Sequence, residues 1–110
     1  MFPDLEDAHV DRATVVKLFC DRDYNNVIYE AVRFTGDNLN DLRVFLGPRL
    51  VLANNFLKDE PEIFLSDEVT EMLVRIKKGY WVLRRQKATS SRFYVWKNKP
   101  FKKTYKPVKE

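Results

Sequence analysis

The stretch "VIYEAVRFTGDNLNDLRVFLG", Val27 to Gly47, decides the fold class of this chain. Val27–Phe34 is rich in β-branched and aromatic side chains and predicts a strand. Thr35, Asp37 and Asn38 are then candidate N-caps, because their side-chain oxygens accept bonds from free backbone N–H groups. Leu39, Leu42, Val44, Phe45 and Leu46 predict an apolar helical stripe, and Gly47-Pro48 ends it. A strand running into one main helix, about residues 37–46, points to an α+β fold. The expected architecture is a small antiparallel sheet with that helix packed on one face and a short C-terminal helix or turn.

Upstream, "ATVVKLFC" (Ala13–Cys20) predicts a strand and "DRDYNN" (Asp21–Asn26) a turn, since Asp and Asn side chains bond locally to the backbone. The two strands form an antiparallel hairpin with a loop longer than the tightest kind. Residues 1–12 have no periodicity and predict a flexible lead-in to a single domain over residues 13–110. Downstream, "RLVLANNFL" predicts a strand entering a turn. Ile63–Leu65 is a short apolar piece that Pro61 marks as an edge strand. Ser66–Ile76 admits two readings, helix or strand: Val69, Met72, Leu73 and Ile76 have helical spacing, yet the stretch is also β-branched. The preferred order is a short helix or turn leading into a strand. Lys77–Gln86 and Arg92–Trp96 predict a hairpin closed by "KATSS", and Lys99–Tyr105 a terminal helix with Pro100 near its start.

At 110 residues, with 45% hydrophobic residues and fifteen aromatics, the chain suits one folded domain rather than a disordered one. No apolar run approaches the roughly 20 residues that span a bilayer. The acidic start "MFPDLEDAHVD" lacks the basic and apolar regions of a signal peptide. A single cysteine, Cys20, excludes an internal disulfide framework, so the expected setting is a reducing cytoplasm.

Residues that carry catalysis are scarce. The lone histidine, His9, lies in the lead-in, a poor place to hold a general base. Without a second histidine or a cysteine cluster there is no zinc site of ordinary composition. Cys20 reads as a buried, inert thiol. Asp37 and Asp41 are four apart on a helix face, a spacing that suits a divalent cation. A capping aspartate beside a solvated one accounts for them better. Three glycines are too few for a phosphate-cradling loop. The expectation is a non-enzymatic protein with no catalytic residue, metal or cofactor.

Charge is the sharper signal. Residues 1–71 hold seven Lys/Arg and fifteen Asp/Glu, a net −8; residues 72–110 hold thirteen Lys/Arg and one acid, a net +12. Two readings account for this asymmetry: a polyanionic partner for the basic part, or mutual neutralisation of two packed halves. The candidate partner-binding residues are Arg84, Arg85, Arg92, Tyr94, Trp96, Lys97, Lys102 and Lys103, with Trp81 as a further anchor. Alternation puts Arg92, Tyr94 and Trp96 on one face of a strand, which suits either base stacking beside a cation or cover of the core with polar tips at the edge. A sheet with one helix buries one face well, so one aromatic set is expected to be at least partly exposed.

"AVRFTGDN", the leucine-bearing helix and "FLG" resemble the opening of a widespread family of small phage and prophage proteins. That family later shows Gly-Asp-Trp/Tyr-Ile-Ile, then Phe-Tyr-Pro, and closes on Phe-x-x-Thr-Tyr. Here Gly79, Trp81 and Val82 of "KKGYWVL" match, with Tyr80 in place of Asp. In "RFYVWKNKPFKKTYKPV", Phe93, Tyr94, Lys97, Phe101, Thr104 and Tyr105 match, while Val95, Trp96 and Asn98 depart. The resemblance covers about residues 26–108, with a longer, divergent middle at 50–76. It implies a phage origin, an α+β fold and a terminal segment packed through Phe101 and Tyr105. The family has no settled activity, so no catalytic residues carry over.

The expected function is that of a phage accessory protein in the host cytoplasm. It would bind a host protein or nucleoprotein complex, inhibiting a defence or transcription system through the basic C-terminal surface. The alternatives are direct nucleic-acid binding by the same surface and binding of a small nucleotide. The acidic half is a possible second interface that mimics nucleic acid.

Overall fold

A computed structural model describes residues 16–54, 61–86 and 92–108. The lead-in, His9, the start of the first expected strand, Lys58–Glu60 and the "KATSS" turn lie outside the described residues. Among those described, eight strands and two α-helices give the α+β class. The strands are β1 (Lys17–Asp21), β2 (Ile28–Arg33), β3 (Leu50–Ala53), β4 (Glu62–Ser66), β5 (Leu73–Arg75), β6 (Trp81–Arg85), β7 (Phe93–Trp96) and β8 (Tyr105–Pro107). The helices are α1 (Leu39–Leu46), continued by a 3-10 turn at Gly47–Arg49, and α2 (Asn98–Thr104).

Where the sequence suggests one sheet, there are two, both antiparallel. The larger has the order β7-β6-β2-β1-β8 and the smaller β3-β4-β5. β2 and β6 are direct neighbours, pairing Tyr29 with Arg85 through Arg33 with Trp81. The chain between them, α1 and the three-stranded sheet, is therefore an excursion from one large sheet. Its return is set by a turn at Lys77–Tyr80, in which Tyr80 N–H donates to Lys77 C=O at 2.9 Å. Gly79 has φ +93° there, the third position of a type II turn, where a side chain is strained.

The β1–β2 loop closes as its aspartate predicts: Asp21 Oδ1 accepts from the N–H groups of Asp23 (2.8 Å) and Tyr24 (3.3 Å). At the start of α1, Asn38 occupies the cap position but its side chain faces backwards. Oδ1 accepts from Thr35 N–H and Nδ2 donates to Arg33 C=O, each at 2.8 Å. It joins the end of β2 to the helix instead of capping free N–H groups. Leu42, Phe45 and Leu46 are buried on the expected stripe, whereas Val44 is exposed, since it falls off the i, i+3, i+4 spacing.

One further expectation changes, and one open reading is resolved in favour of a turn leading into a strand. β4, which Pro61 marked as an edge, is the middle strand; the proline stands just before its first residue, where no ladder N–H is needed. In Ser66–Ile76 the helical spacing is not realised. Asp67 Oδ1 accepts from Val69 N–H (2.9 Å), Glu71 N–H donates to Asp67 C=O (2.8 Å), and a turn leads into β5. Of the four residues with helical spacing only Ile76 is buried.

The large sheet is covered on both sides. One face carries Val32, Val82 and Phe93 against Phe34, Leu42, Phe45, Leu46, Ile63, Leu65 and Ile76 from the excursion. The other carries Phe19, Ala31, Trp81 and Leu83 against Phe101 of α2 and Tyr105 of β8. β6 therefore has three consecutive buried residues, Trp81–Leu83, the pattern of a strand buried on both faces. The face carrying Tyr94 and Trp96 is only partly exposed, with Tyr94 open and Trp96 half-buried, because the C-terminal segment folds back over it.

That second face is curled. Trp96 belongs to β7 and Tyr105 to β8, at opposite edges, yet their ring centroids are 5.2 Å apart. Four strand spacings would hold flat edges about 19 Å apart. Phe101 fills the hollow: it stacks on Trp81 at 4.3 Å and 13°, and meets Phe19 edge-on at 4.8 Å. Trp81 Nε1 donates to Asn98 Oδ1 at 2.9 Å, so the indole satisfies its one polar atom within α2.

Phe101→Ala tests this account. It empties a site where the ring is 1% exposed. The expected cost is about 3–5 kcal/mol, a large part of a small domain's stability, read as a fall in urea midpoint. A loss below about 1 kcal/mol would show that α2 does not hold the curled face together.

Candidate functional site

The eight residues singled out from sequence do not form one surface. Register and alternation put Arg84 on the face covered by α1. Its Nε donates to Glu30 Oε1 at 2.9 Å, and its guanidinium lies over Phe45 at 4.9 Å and Phe93 at 5.7 Å. Arg84 is thus a paired, partly buried element of the fold, with its charge offset by Glu30. Arg92 is also engaged: it reaches Asp67 at 3.7 Å, linking β7 to the end of β4, and lies over the Tyr94 ring at 5.2 Å. Its Nε is buried with no hydrogen-bond partner among the described residues. The N–H of Val69, opposed by burial and aided by Arg92, holds the Asp67 carboxyl below its ordinary pKa.

Trp96 is half-buried against Tyr105, and Trp81 is fully enclosed. Both rings are core, which the family resemblance implied for Phe101 and Tyr105 and which alternation alone left open. Tyr94, 39% exposed, is the one ring of the candidate set open to solvent.

The remaining cations gather on the outside of the C-terminal segment. Lys97, Lys99, Lys102 and Lys103 are all exposed and form no ion pair among the described residues. α2 is anchored inward by Phe101 and by Asn98, which accepts from the Trp81 indole, while Lys99, Lys102 and Lys103 are exposed. Its C-terminal end receives a further cation, Arg22, whose Nε and a terminal nitrogen donate to Lys102 C=O at 3.2 and 3.0 Å. That placement suits the negative end of a helix and holds the β1–β2 loop against α2. Arg85, exposed at the end of β6, is likewise without an ion pair among the described residues. Lys99 was not singled out from sequence, although its place between Asn98 and the inward Phe101 marks it as outward.

Mutual neutralisation of acidic and basic halves is therefore partial. Arg49 meets Glu68, Arg75 meets Glu62 and Arg84 meets Glu30, each an exchange across the two charge blocks or within the acidic one. The lysines of α2 take no part. No group of three His, Cys, Asp or Glu side chains among the described residues is placed to hold a metal ion. Asp37 instead accepts the Thr35 hydroxyl at 2.6 Å. No described helix is long and apolar enough to cross a membrane.

No protein-family model, curated protein or solved structure matches this chain.

Tyr105 gives the site a pH signature. Burial first, then the neighbouring Tyr29 and the Asp21 carboxylate, push its phenol up to about 12. A raised tyrosine pKa favours the neutral form in the folded state. Its stabilising contribution is full below the ordinary value near 10 and is lost as pH rises through 10 to 12. Absorbance titration of tyrosinate should show one late phase, missing in Tyr105→Phe. The two arginines separate by stability. Arg84→Ala should cost roughly 1 kcal/mol by stranding Glu30, while Arg85→Ala should stay within about 0.5 kcal/mol of the parent in urea unfolding.

Proposed function

We propose that this chain is a non-enzymatic binding protein of phage origin that engages an acidic host macromolecule through α2 and its surroundings. The carrying observation is the row of exposed lysines without ion-pair partners among the described residues, on an element fixed from inside by Phe101. Four ammonium groups held on a rigid support repel one another, and an anionic partner relieves that repulsion. The resemblance to small phage proteins supports a host-directed role, in which binding blocks a defence or transcription complex. The contact residues under this reading are Arg85, Lys97, Lys99, Lys102 and Lys103.

A second reading, direct binding of nucleic acid, rests on Tyr94, whose exposed ring lies beside the Arg92 guanidinium. A single open ring supports phosphate-backbone contact more than base stacking along a strand.

One experiment separates them: binding to generic single- and double-stranded DNA and RNA across a salt series, followed by capture of partners from host lysate. Four phosphate contacts would weaken nucleic-acid binding by about 10²-fold between 50 and 200 mM salt. Binding of that kind favours the second reading. Capture of an acidic host protein, lost in Lys102→Glu/Lys103→Glu, supports the first. Arg84 stays out of the variant, because Arg84→Glu would set two carboxylates together at Glu30. If the double variant retains every partner of the parent, the basic surface is not the contact.

A further inference from the structure

At the side of the molecule that carries the three-stranded sheet, a different kind of surface is present. Val69 and Met72, each 65% exposed, and Leu73, 54% exposed, stand together at the β4–β5 turn and the start of β5. Glu71, between them, is held at φ +59°, a left-handed conformation that a non-glycine residue adopts at a cost.

β5 is an edge strand, and its register shows which backbone groups are free. Asp67 N–H donates to Met72 C=O and Ile76 N–H donates to Ile63 C=O. Leu65 is opposite Val74. Antiparallel ladders alternate, so Met72, Val74 and Ile76 direct their backbone groups to β4. Leu73 and Arg75 direct theirs outward. An edge two residues long in this sense is symmetric about Val74.

We propose that this edge pairs with β5 of a second copy of the chain, antiparallel about a two-fold axis at Val74. Leu73 and Arg75 of each copy exchange N–H and C=O bonds, four in all, and the two three-stranded sheets become one of six strands. Val74, half-buried at the open end of the core, meets its counterpart, and Met72 lies across from the partner copy's position 76, covering a side chain now in water.

Charge favours a second copy over an unlike partner here. The only charged residues in β3, β4 and β5 are Glu62 and Arg75, and they already pair at 2.9 Å. A copy arriving at α2 would meet unpaired lysines of its own sign. At β5 it meets strands whose two charges are paired, and the flanking Glu71 of one copy falls opposite Lys77 of the other. The proposal is independent of the partner read from the basic surface.

Sedimentation velocity from ~10 µM to ~1 mM, with backbone amide exchange at both ends of the range, tests it. The expected result is a mass rising towards the dimer with concentration. The amides of Leu73 and Arg75 should then exchange more slowly in concentrated samples, while that of Val74, already bonded within the sheet, is unchanged. Leu73→Lys, which places a charge on an exposed edge position, should stay folded by circular dichroism and remain monomeric. A parent that stays monomeric across the range overturns the proposal. So does a dimer that survives Leu73→Lys or adds no protection at residues 73 and 75; the exchange measurement needs no variant.

Discussion

The stacking of Phe101 on Trp81 is the contact on which the rest of this structure depends. A sheet curled until Tyr105 meets Trp96 leaves a hollow, and only a large flat ring from outside the sheet fills it. Phe19, Tyr29, Trp81, Trp96, Phe101 and Tyr105 form one aromatic cluster around that hollow. Each well-oriented ring pair adds about 0.5–1.5 kcal/mol beyond the area it buries. Because Phe101 is the one fully buried residue of α2, it also decides that the lysines of the helix face out. Packing and charge display are thus two results of one side chain.

Local chemistry made much of the outline legible. Asp21 and Asn26 bracket a turn whose aspartate makes the expected bonds, and Leu42, Phe45 and Leu46 fall on the predicted helical stripe. Pro100 sits inside the first turn of α2, as its missing N–H requires. Long-range pairing was not legible. Nothing in Lys17–Asp21 or Tyr105–Pro107 announces that these segments are neighbours, and the small second sheet depends on where β4 finds partners. Ser66–Ile76, whose spacing admitted helix or strand, resolved as a turn leading into a strand because the Asp67 side chain bonds the Val69 N–H.

The candidate site divides along the same line. Lys102 and Lys103 were legible because long charged side chains beside one apolar anchor face solvent. The pairing of Arg84 was not legible because Glu30 is distant in the chain and adjacent only through the β2–β6 register. Which of its two readings Trp96 would take was not legible, because the element that half-covers it comes later in sequence and doubles back. A run rich in cations and rings therefore separates, in three dimensions, into a core and a charged exterior.

The pairing of β1 with β8 has a temporal side. Among the described strands β1 comes first in the chain and β8 last, so their pairing closes only when every other described element has been made. Until residues 105–107 emerge from the ribosome, β1 is an open edge and the hollow lined by Phe19 and Trp81 stands uncovered. Contacts so far apart in the chain form late and slowly. Once Trp81 has been made, the nascent protein thus exposes the aromatic hollow until the segment that covers it follows. Its need for a chaperone would be greatest in that interval, before the terminal lysine-bearing helix closes over the rings.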